Sequence, residues 1–578
     1  MPTRLVVLAS LLAPLLLAPV AQAQWLVTGT PVATAVDYQM NPAIVPDGNG
    51  GAIMVWEDGR SGGGYFDIYA QHVDASGVPT WAYGGLPVCT VSNQQLSPVL
   101  VGDGAGGAMM FWEDYRSSNN DIYGQEVSSG GVAQWTAGGM AISTATADQS
   151  DVRAIGDGNS GIFVGNPPGA ILVWVDGRNS SDTGYDIYVQ HVRRDGSILW
   201  AANGIPLCNA SGGQFSPAIA SDGTGTITGP KGAIVAWEDY RLNAMGPAHI
   251  YAGRISSGGV ASWSTSGVAV CTAAGGQFSP QIAFVGGGQV IICWTDSRGT
   301  DSDIYAQKLD INGNSLWTAD GVPADIAPAT QSVPRIVSDG AGGAIIVWND
   351  YRDAKWDLYA QRLDASGTRL WGDGGKPVRV ASASANLDEV IPDGAGGAIV
   401  LWEDNRFAGY TYDYVQRLDA SGNPLWPVNG LRVADYASNE VSPRLTNAPN
   451  GGAIVVWQDW RGTFYDIYAN QVFPTGNVDV PSQAPAAFRV ALAGSNPVRG
   501  DARFAVDLPQ EASVTAEMFD LAGRRVQTLE QGTPWTAGTH ALSWDGADAA
   551  GAHVGPGIFF LRVSAGSRSA VVKVVSLR

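Results

Sequence analysis

A tryptophan followed two residues later by aspartate, and two further on by arginine, occurs eight times in this 578-residue chain. The aspartates are Asp58, Asp114, Asp176, Asp239, Asp296, Asp350, Asp404 and Asp459, and the arginines Arg60, Arg116, Arg178, Arg241, Arg298, Arg352, Arg406 and Arg461. A further aspartate follows in six copies, at Asp67, Asp121, Asp186, Asp303, Asp357 and Asp466, while His249 stands there in the fourth repeat and Tyr412-Asp413-Tyr414 in the seventh. Paired carboxylates can serve glycoside hydrolysis, and an arginine can clamp a carboxylate through two parallel hydrogen bonds. An arginine between two carboxylates can equally lock its own loop. Repetition favours locking, because catalysis needs one asymmetric site and near-identical copies single out no repeat. Asp58, Arg60, Asp114, Arg116, Asp176, Arg178, Asp239 and Arg241 are therefore read as structural.

The residue between tryptophan and aspartate varies, as Glu57, Glu113, Val175, Glu238, Thr295, Asn349, Glu403 and Gln458. Variation on a fixed frame is where specificity would be written, so Glu57, Glu113, Glu238 and Glu403 are candidate binding residues. The third and fourth repeats lengthen a neighbouring turn, through Phe163 to Pro168 and Thr224 to Pro230, which adds Asn166 and Lys231 as candidate contacts. The Asp-Gly-x-Gly-Gly turns at Asp47, Asp103, Asp339 and Asp393 lack the alternating oxygen ligands of a calcium loop. They fit an aspartate capping a turn in which glycine supplies positive φ. The five histidines have no metal-ligand spacing, and there is no G-x-S-x-G, H-E-x-x-H, Walker or C-x-x-C motif. No catalytic set, metal or cofactor is expected.

The elements that must hold these residues follow from the spacing. The eight tryptophans, Trp56, Trp112, Trp174, Trp237, Trp294, Trp348, Trp402 and Trp457, lie 54 to 63 residues apart, the mark of a tandemly copied supersecondary unit. Each unit reads as four strands: one entered at Ser-Pro or similar, an apolar run ending in tryptophan, an Asp-Ile-Tyr-Ala-Gln-like strand, and a fourth carrying a second tryptophan. Four antiparallel strands repeated eight times predict an eight-bladed β-propeller. The second series is Trp25, Trp81, Trp135, Trp200, Trp263, Trp317, Trp371 and Trp426, read as wedges between blades. Trp25 precedes any third strand and the eighth repeat has no tryptophan after Val472, so the N-terminus is expected to complete the last blade beside Tyr468. Such closure leaves no open sheet edge. Cys89, Cys208 and Cys271 fall at one equivalent place in three repeats, and only Cys271 with Cys293 stands in one repeat region as a possible bridge.

Residues 1–23 read as a secretory signal peptide, with Arg4, the apolar stretch Leu5 to Val20, and Ala21-Gln22-Ala23 as a cleavage site. Losing Arg4 takes the formal charge from -20 to -21, which argues against nucleic acid or an anionic membrane as partner. No later stretch reads as a membrane span. The propeller is expected over residues 24–473, a Pro- and Ala-bearing linker over 474–487, and a small β-sandwich over 488–578.

Asn496-Pro497, Asp520-Leu521-Ala522-Gly523-Arg524-Arg525-Val526, Trp544-Asp545-Gly546-Ala547-Asp548 and Lys573-Val574-Val575 carry a resemblance. The segment resembles the Ig-like domain of flagellar hook-capping proteins and the related C-terminal sorting domains of type IX secretion, with Phe559 where those domains commonly have tyrosine. That resemblance implies export across an outer membrane and contact with secretion machinery. The repeat half is similar to exported bacterial repeat proteins with Asp-Ile-Tyr-Ala-Gln strands. The expected protein is an all-β, non-catalytic binding or adhesion protein, secreted or on the outer surface of a Gram-negative-type bacterium, with a glycan or protein as its extracellular ligand. The alternative is a propeller glycosidase or lyase acting on extracellular polysaccharide.

Overall fold

The computed structural model describes residues 25–159, 168–224, 229–242, 246–406, 409–476, 488–492, 496–498, 502–509, 512–535, 538–566 and 568–577. The signal peptide, Asn166 and most of the expected linker lie outside them. Strands make up almost all the regular structure, and no helix among the described residues is long and apolar enough to cross a membrane. The chain divides into two compact units, the first running to Pro474 and the second made mainly of Thr475–Arg578.

The first unit holds eight four-stranded antiparallel sheets. Sheet 1 is typical, with an inner strand Gln39–Pro46, a second Ala52–Asp58, a third Asp67–Val73 and an outer strand Leu86–Cys89. Every residue of the second strand is buried, which explains why its sequence is apolar throughout instead of alternating. Each inner strand contacts the inner strands of the sheets before and after it, and that of sheet 8 contacts that of sheet 1. The sheets therefore form a ring, an arrangement consistent with propeller blades. Numbered in chain order, sheet 4 runs from Gln214 to Cys271, sheet 5 from Gln277 to Pro323, sheet 6 from Gln331 to Arg379 and sheet 7 from Ala385 to Arg432. The hydrophobic clusters straddle neighbouring sheets, as where Ile345, Val347 and Leu358 of sheet 6 meet Val400, Trp402 and Tyr414 of sheet 7.

Sheet 8 is Glu440–Ala448, Gly452–Asp459 and Asp466–Val472, and its fourth strand is Thr30–Ala33 from the N-terminus, paired as Thr30↔Ala469 and Pro31↔Tyr468. Trp25 lies in the turn before that strand. The whole second tryptophan series sits likewise, Trp81 preceding Leu86–Cys89 by several residues, so these side chains are wedges beside the outer strands and not members of them. Each reaches the third-strand turn of the next sheet. The Trp25 indole N–H donates to the Ala75 carbonyl at 3.3 Å and that of Trp81 to Ser129 at 3.0 Å. Gly77, at φ 80°, lets the Trp25 ring lie against the turn, since a Cβ would come within 3.0 Å of it.

All four cysteines are buried free thiols. Cys271 ends the outer strand of sheet 4 while Cys293 lies in the second strand of sheet 5, so the two do not form the bridge that one shared repeat would allow.

The second unit contains a three-stranded sheet of Arg489–Leu492, Ala502–Leu508 and Gly538–Trp544, and a four-stranded sheet of Arg525–Trp535, Ala512–Asp520, Gly557–Ala565 and Arg568–Ser576. Phe504, Val506, Met518, Trp544, Leu561 and Val563 fill its core. The Asp-x-x-Gly-Arg stretch is a turn in which Asp520 accepts from the N–H groups of Ala522 and Arg524, each at 2.9 Å.

Deleting residues 24–33 removes the outer strand of sheet 8 and the Trp25 wedge, leaving an open edge. The expected outcome is a lower thermal midpoint together with concentration-dependent aggregation, read by calorimetry and light scattering; an unchanged melt would show that the ring does not depend on this strand.

Candidate functional site

The Trp-x-Asp-x-Arg phrase folds into one repeated unit at one end of the ring. Asp58 is fully buried and accepts from the Trp56 indole at 2.8 Å, from the Arg60 backbone N–H at 3.0 Å, and from Arg60 Nε and Nη2 at 2.7 and 2.5 Å. The Arg60 guanidinium lies over the Tyr69 ring of the third strand at 4.0 Å. Asp114 with Arg116, Asp176 with Arg178 and Asp239 with Arg241 repeat this geometry, over Tyr123, Tyr188 and Tyr251. A residue at the end of the preceding outer strand, or just past it, approaches the same arginine. Cys89 Sγ lies 3.4 Å from Arg116 Nη2, Cys271 Sγ 3.2 Å from Arg298 Nη2, and Asp325 pairs with Arg352 at 3.1 Å. Buried Arg379 occupies this place between sheets 6 and 7 and bonds Asp404 and Asp357.

The variable residue between tryptophan and aspartate reaches the next sheet. Glu57 accepts from Ser97 N–H, Glu113 from Asp151, Glu238 from Ser279 and Glu403 from Ser442, each at 2.8 Å. Thr295, Asn349 and Gln458 do the same toward Val333, Leu387 and Asn41. Most of these donors have positive φ, such as 53° at Ser97 and 51° at Asn41, and mark a bulge in the inner strand. Glu57, Glu113 and Glu238 are buried and spend one oxygen on this seam; Glu403 is partly exposed. Burial raises all four carboxyls, Glu113 to about 7. Lys231 is half-buried, its N–H bonded to the Asp157 carbonyl and its side chain beside Gly158.

Sheet 7 breaks the pattern. Its inner strand reads Ala385-Asn386-Leu387-Asp388-Glu389, without the proline that follows the bulge residue in six of the other sheets. At the inner-strand place facing second-strand residues such as Val55, the eight sheets carry Ala43, Val99, Arg153, Ala218, Gln281, Arg335, Glu389 and Arg444. Three neighbouring charged positions thus gather on sheets 6, 7 and 8, with Asp388 and Glu403 beside them.

Asp388 Oδ2 accepts from Glu403 N–H at 3.0 Å, Glu389 Oε2 from Leu445 N–H at 2.8 Å, and Arg335 Nε donates to the Asp388 carbonyl at 2.8 Å. Burial, reinforced by the Glu403 charge and opposed by Arg444 and Arg335, pushes the Asp388 carboxyl up to about 8. Burial also raises Glu389, and burial with the Arg444 charge lowers Arg335. This sector was hidden in the repeat. The signal that marks it is a lost proline and a doubled acid in a single copy.

Aromatic rings adjoin it. The residue between aspartate and arginine is Tyr115, Tyr240, Tyr351 or Trp460 in four repeats, and Trp460 is 38% exposed. Trp460 meets Tyr465 edge-on at 4.6 Å, Tyr38 lies 5.0 Å from Phe464, and Trp460 lies 6.0 Å from Tyr38. The Tyr465 phenol is raised by burial, then by Glu403 and Tyr38, which places it beside the charged sector.

A second departure lies behind. Asp413 stands where seven sibling sheets have Ile or Leu, as at Ile68, and is fully buried with neither carboxyl oxygen hydrogen-bonded. Glu440, in the place of the glutamines such as Gln95, accepts from Asp413 N–H at 3.0 Å, with Arg432 3.7 Å away. Burial raises Asp413 well above the carboxylate range, helped by Glu440, Asp388, Glu403 and Asp459, and raises Glu440 to about 8.

Residues 494–569 match the FlgD Ig-like domain. No curated protein matches the chain by sequence. Among solved structures, an ulvan lyase is similar at 11% identity, covering 78% of this chain and 96% of its own, with a TM-score of 0.41. An α-L-arabinofuranosidase from Fusarium graminearum is 11% identical over 67% of this chain and 95% of its own, TM-score 0.31. PorZ, a surface component of the type-IX secretion system of Porphyromonas gingivalis, is 11% identical over 94% and 82%, TM-score 0.26. At such values none of them lends this chain its activity.

Replacing Arg116 with Ala leaves the buried Asp114 carboxylate without its ion pair, a loss of about 3 kcal/mol, the low end for a broken buried pair because water reaches the arginine. Thermal or denaturant melts should show it, with the Arg116→Lys variant recovering part. Asp413→Ile should raise stability. The raised carboxyls favour folding while protonated, a contribution complete below the unfolded value of about 4 and lost as pH climbs through the folded values. The gain from Asp413→Ile should therefore be larger at pH 8 than at pH 5; equal gains would mean that Asp413 is ionised in the fold.

Proposed function

We propose that the chain is an exported, non-catalytic, eight-bladed β-propeller over residues 24–473 that binds an extracellular ligand at the mouth over sheets 6, 7, 8 and 1. Eight ring-forming sheets, each with the Trp-x-Asp-x-Arg lock, support the blade count. The observation that carries the binding reading is the single asymmetric sector, Arg335, Asp388, Glu389, Glu403 and Arg444 beside Trp460 and Tyr465, on a frame otherwise repeated. Asp388, Glu389 and Glu403 each commit an oxygen to a backbone N–H, which suits a rigid wall better than a mobile acid and nucleophile. Glu57, Glu113 and Glu238 extend the same seam around the ring, while Lys231 adds a contact on a lengthened turn and Asn166, outside the described residues, stays a candidate from the sequence.

One observation favours the alternative, a glycosidase or lyase. Asp388, pushed up to about 8 beside Glu403, has the protonation a general acid needs at neutral pH. A glycan array run in parallel with a product assay separates the two readings: capture without products supports binding, and released sugar sinks the non-catalytic assignment.

Residues 1–23 would deliver the chain to the periplasm, and the Ig-like domain over 488–578, joined by the linker 474–487, would hand it to the secretion machinery for the outer surface or the medium. The FlgD-type match to 494–569 supports the domain and leaves its role to experiment. Deleting 488–578 should leave a folded ring that accumulates in the periplasm while the full chain is found outside. If fractionation finds both forms outside alike, the domain is a cap or spacer.

A further inference from the structure

The mouth sector contains two guanidinium groups whose charge the protein leaves unpaired. Neither Arg335 nor Arg444 makes an ion pair within 4.0 Å among the described residues. Arg335 donates to the Asp388 and Pro334 carbonyls and Arg444 to its neighbour Pro443, and Arg444 is exposed. The two are close enough for Arg444 to depress Arg335. Like charges brought together without counter-ions oppose folding, a cost that an anion in the site would offset. The neighbouring acids do not pair with them: Asp388, Glu389 and Glu403 each turn an oxygen to a backbone N–H, of Glu403, Leu445 and Ser442, and Asp388 holds its proton up to about 8.

The depth of the site narrows the ligand. Trp460 follows Asp459, the mouth end of its strand, while Arg444 faces Val456, three residues further in, or about 10 Å along the strand. A partner touching both must reach from the lip down the inner wall, which a slender polymer does and a folded protein surface does not. At the lip, the half-exposed indole of Trp460, held by Tyr465 and Tyr38, offers the apolar face and polar edge that suit a sugar ring. Beside it the Tyr465 phenol, and further in Glu403, can bond hydroxyls, and a planar guanidinium matches a carboxylate or sulfate.

We propose that this sector binds an acidic polysaccharide, one sugar ring resting on Trp460 and the acidic group of a following sugar on Arg444 and Arg335. The proposal rests on the binding reading above and names the class of ligand for the same mouth.

The test uses the full mature chain and calorimetric titration with oligogalacturonate, oligoalginate and chondroitin sulfate oligosaccharides, beside neutral gluco- and manno-oligosaccharides. At least one acidic oligosaccharide should bind, more weakly as salt rises, and neutral ones should not. Arg444→Gln and Trp460→Ala should each weaken binding by about tenfold or more, Arg444→Gln without lowering the melting temperature, with Arg444→Lys intermediate. Neutral sugars binding as well as acidic ones, or binding indifferent to Arg444→Gln, would overturn the acidic class. Should no oligosaccharide of either kind bind while the protein still adheres to cells, the glycan proposal fails and the binding reading stands. Cleavage of an acidic oligosaccharide abolished by Arg444→Gln would keep the ligand and sink the non-catalytic reading.

Discussion

Eight of the carboxylates at zero exposure in the first unit sit two residues after a tryptophan. A bare buried carboxylate would cost several kcal/mol, so the fold is obliged to bring it a cation and donors. It does so locally, with the arginine two residues on and the indole two residues back, and the arginine then stacks on a tyrosine of the third strand. Second strand, loop and third strand become one piece. The preceding outer strand can therefore place Cys89, Ser143, Cys208 or Arg379 at its end, or Asp325 just past it, against the next sheet's lock, because the charge is already balanced within that sheet.

The lock also frees its neighbour. The side chain between tryptophan and aspartate points across the seam and holds the bulge of the next inner strand, and the series ends where Gln458 holds Asn41 of sheet 1. With the Thr30–Ala33 strand and the Trp25 wedge, this gives the ring three separate closures at sheets 8 and 1. It also explains why acids at Glu57, Glu113 and Glu238 are poor places for a ligand to be read: each is turned into the seam and satisfied there. The inner-strand place after the bulge faces no such demand and varies freely from Ala43 to Arg444.

Much of the frame was legible in the amino-acid order. The period of the tryptophans gave four strands per unit, and the offset of the second series placed the N-terminal strand beside Tyr468, because packing residues needed by every sheet must recur at every sheet. The candidate site was poorly legible for the same reason. Glu57 and Glu403 look alike in sequence and make the same seam bond, to Ser97 and Ser442; only Asp388 and Arg444 on the inner strands beside Glu403 make it part of a charged wall. Trp460 stands in the place of Tyr115 and Tyr351, so its residue type alone does not set it apart. Strand register, absent from any local window, is what brings Tyr465, Glu403 and Arg444 together.

Sheet 7 and its neighbour contain the departures that cost most. Ala385 replaces a buried glutamine, Asp388-Glu389 replaces a proline turn, Asp413 replaces a core isoleucine or leucine, and Glu440 replaces another glutamine. Each departs from what most of the other sheets carry, and Asp413 leaves both carboxyl oxygens without a hydrogen bond. Local violations clustered in one place are the expected cost of a functional site, whereas neutral drift would scatter them around the ring. The cluster lies one sheet from the ring closure, and both Asp413 and Asp388 are held in their neutral form by burial. A rise in pH that ionises the wall of the mouth therefore also loads the seam between sheets 7 and 8, where Asp413 adjoins Glu440, so the binding surface and that seam respond together.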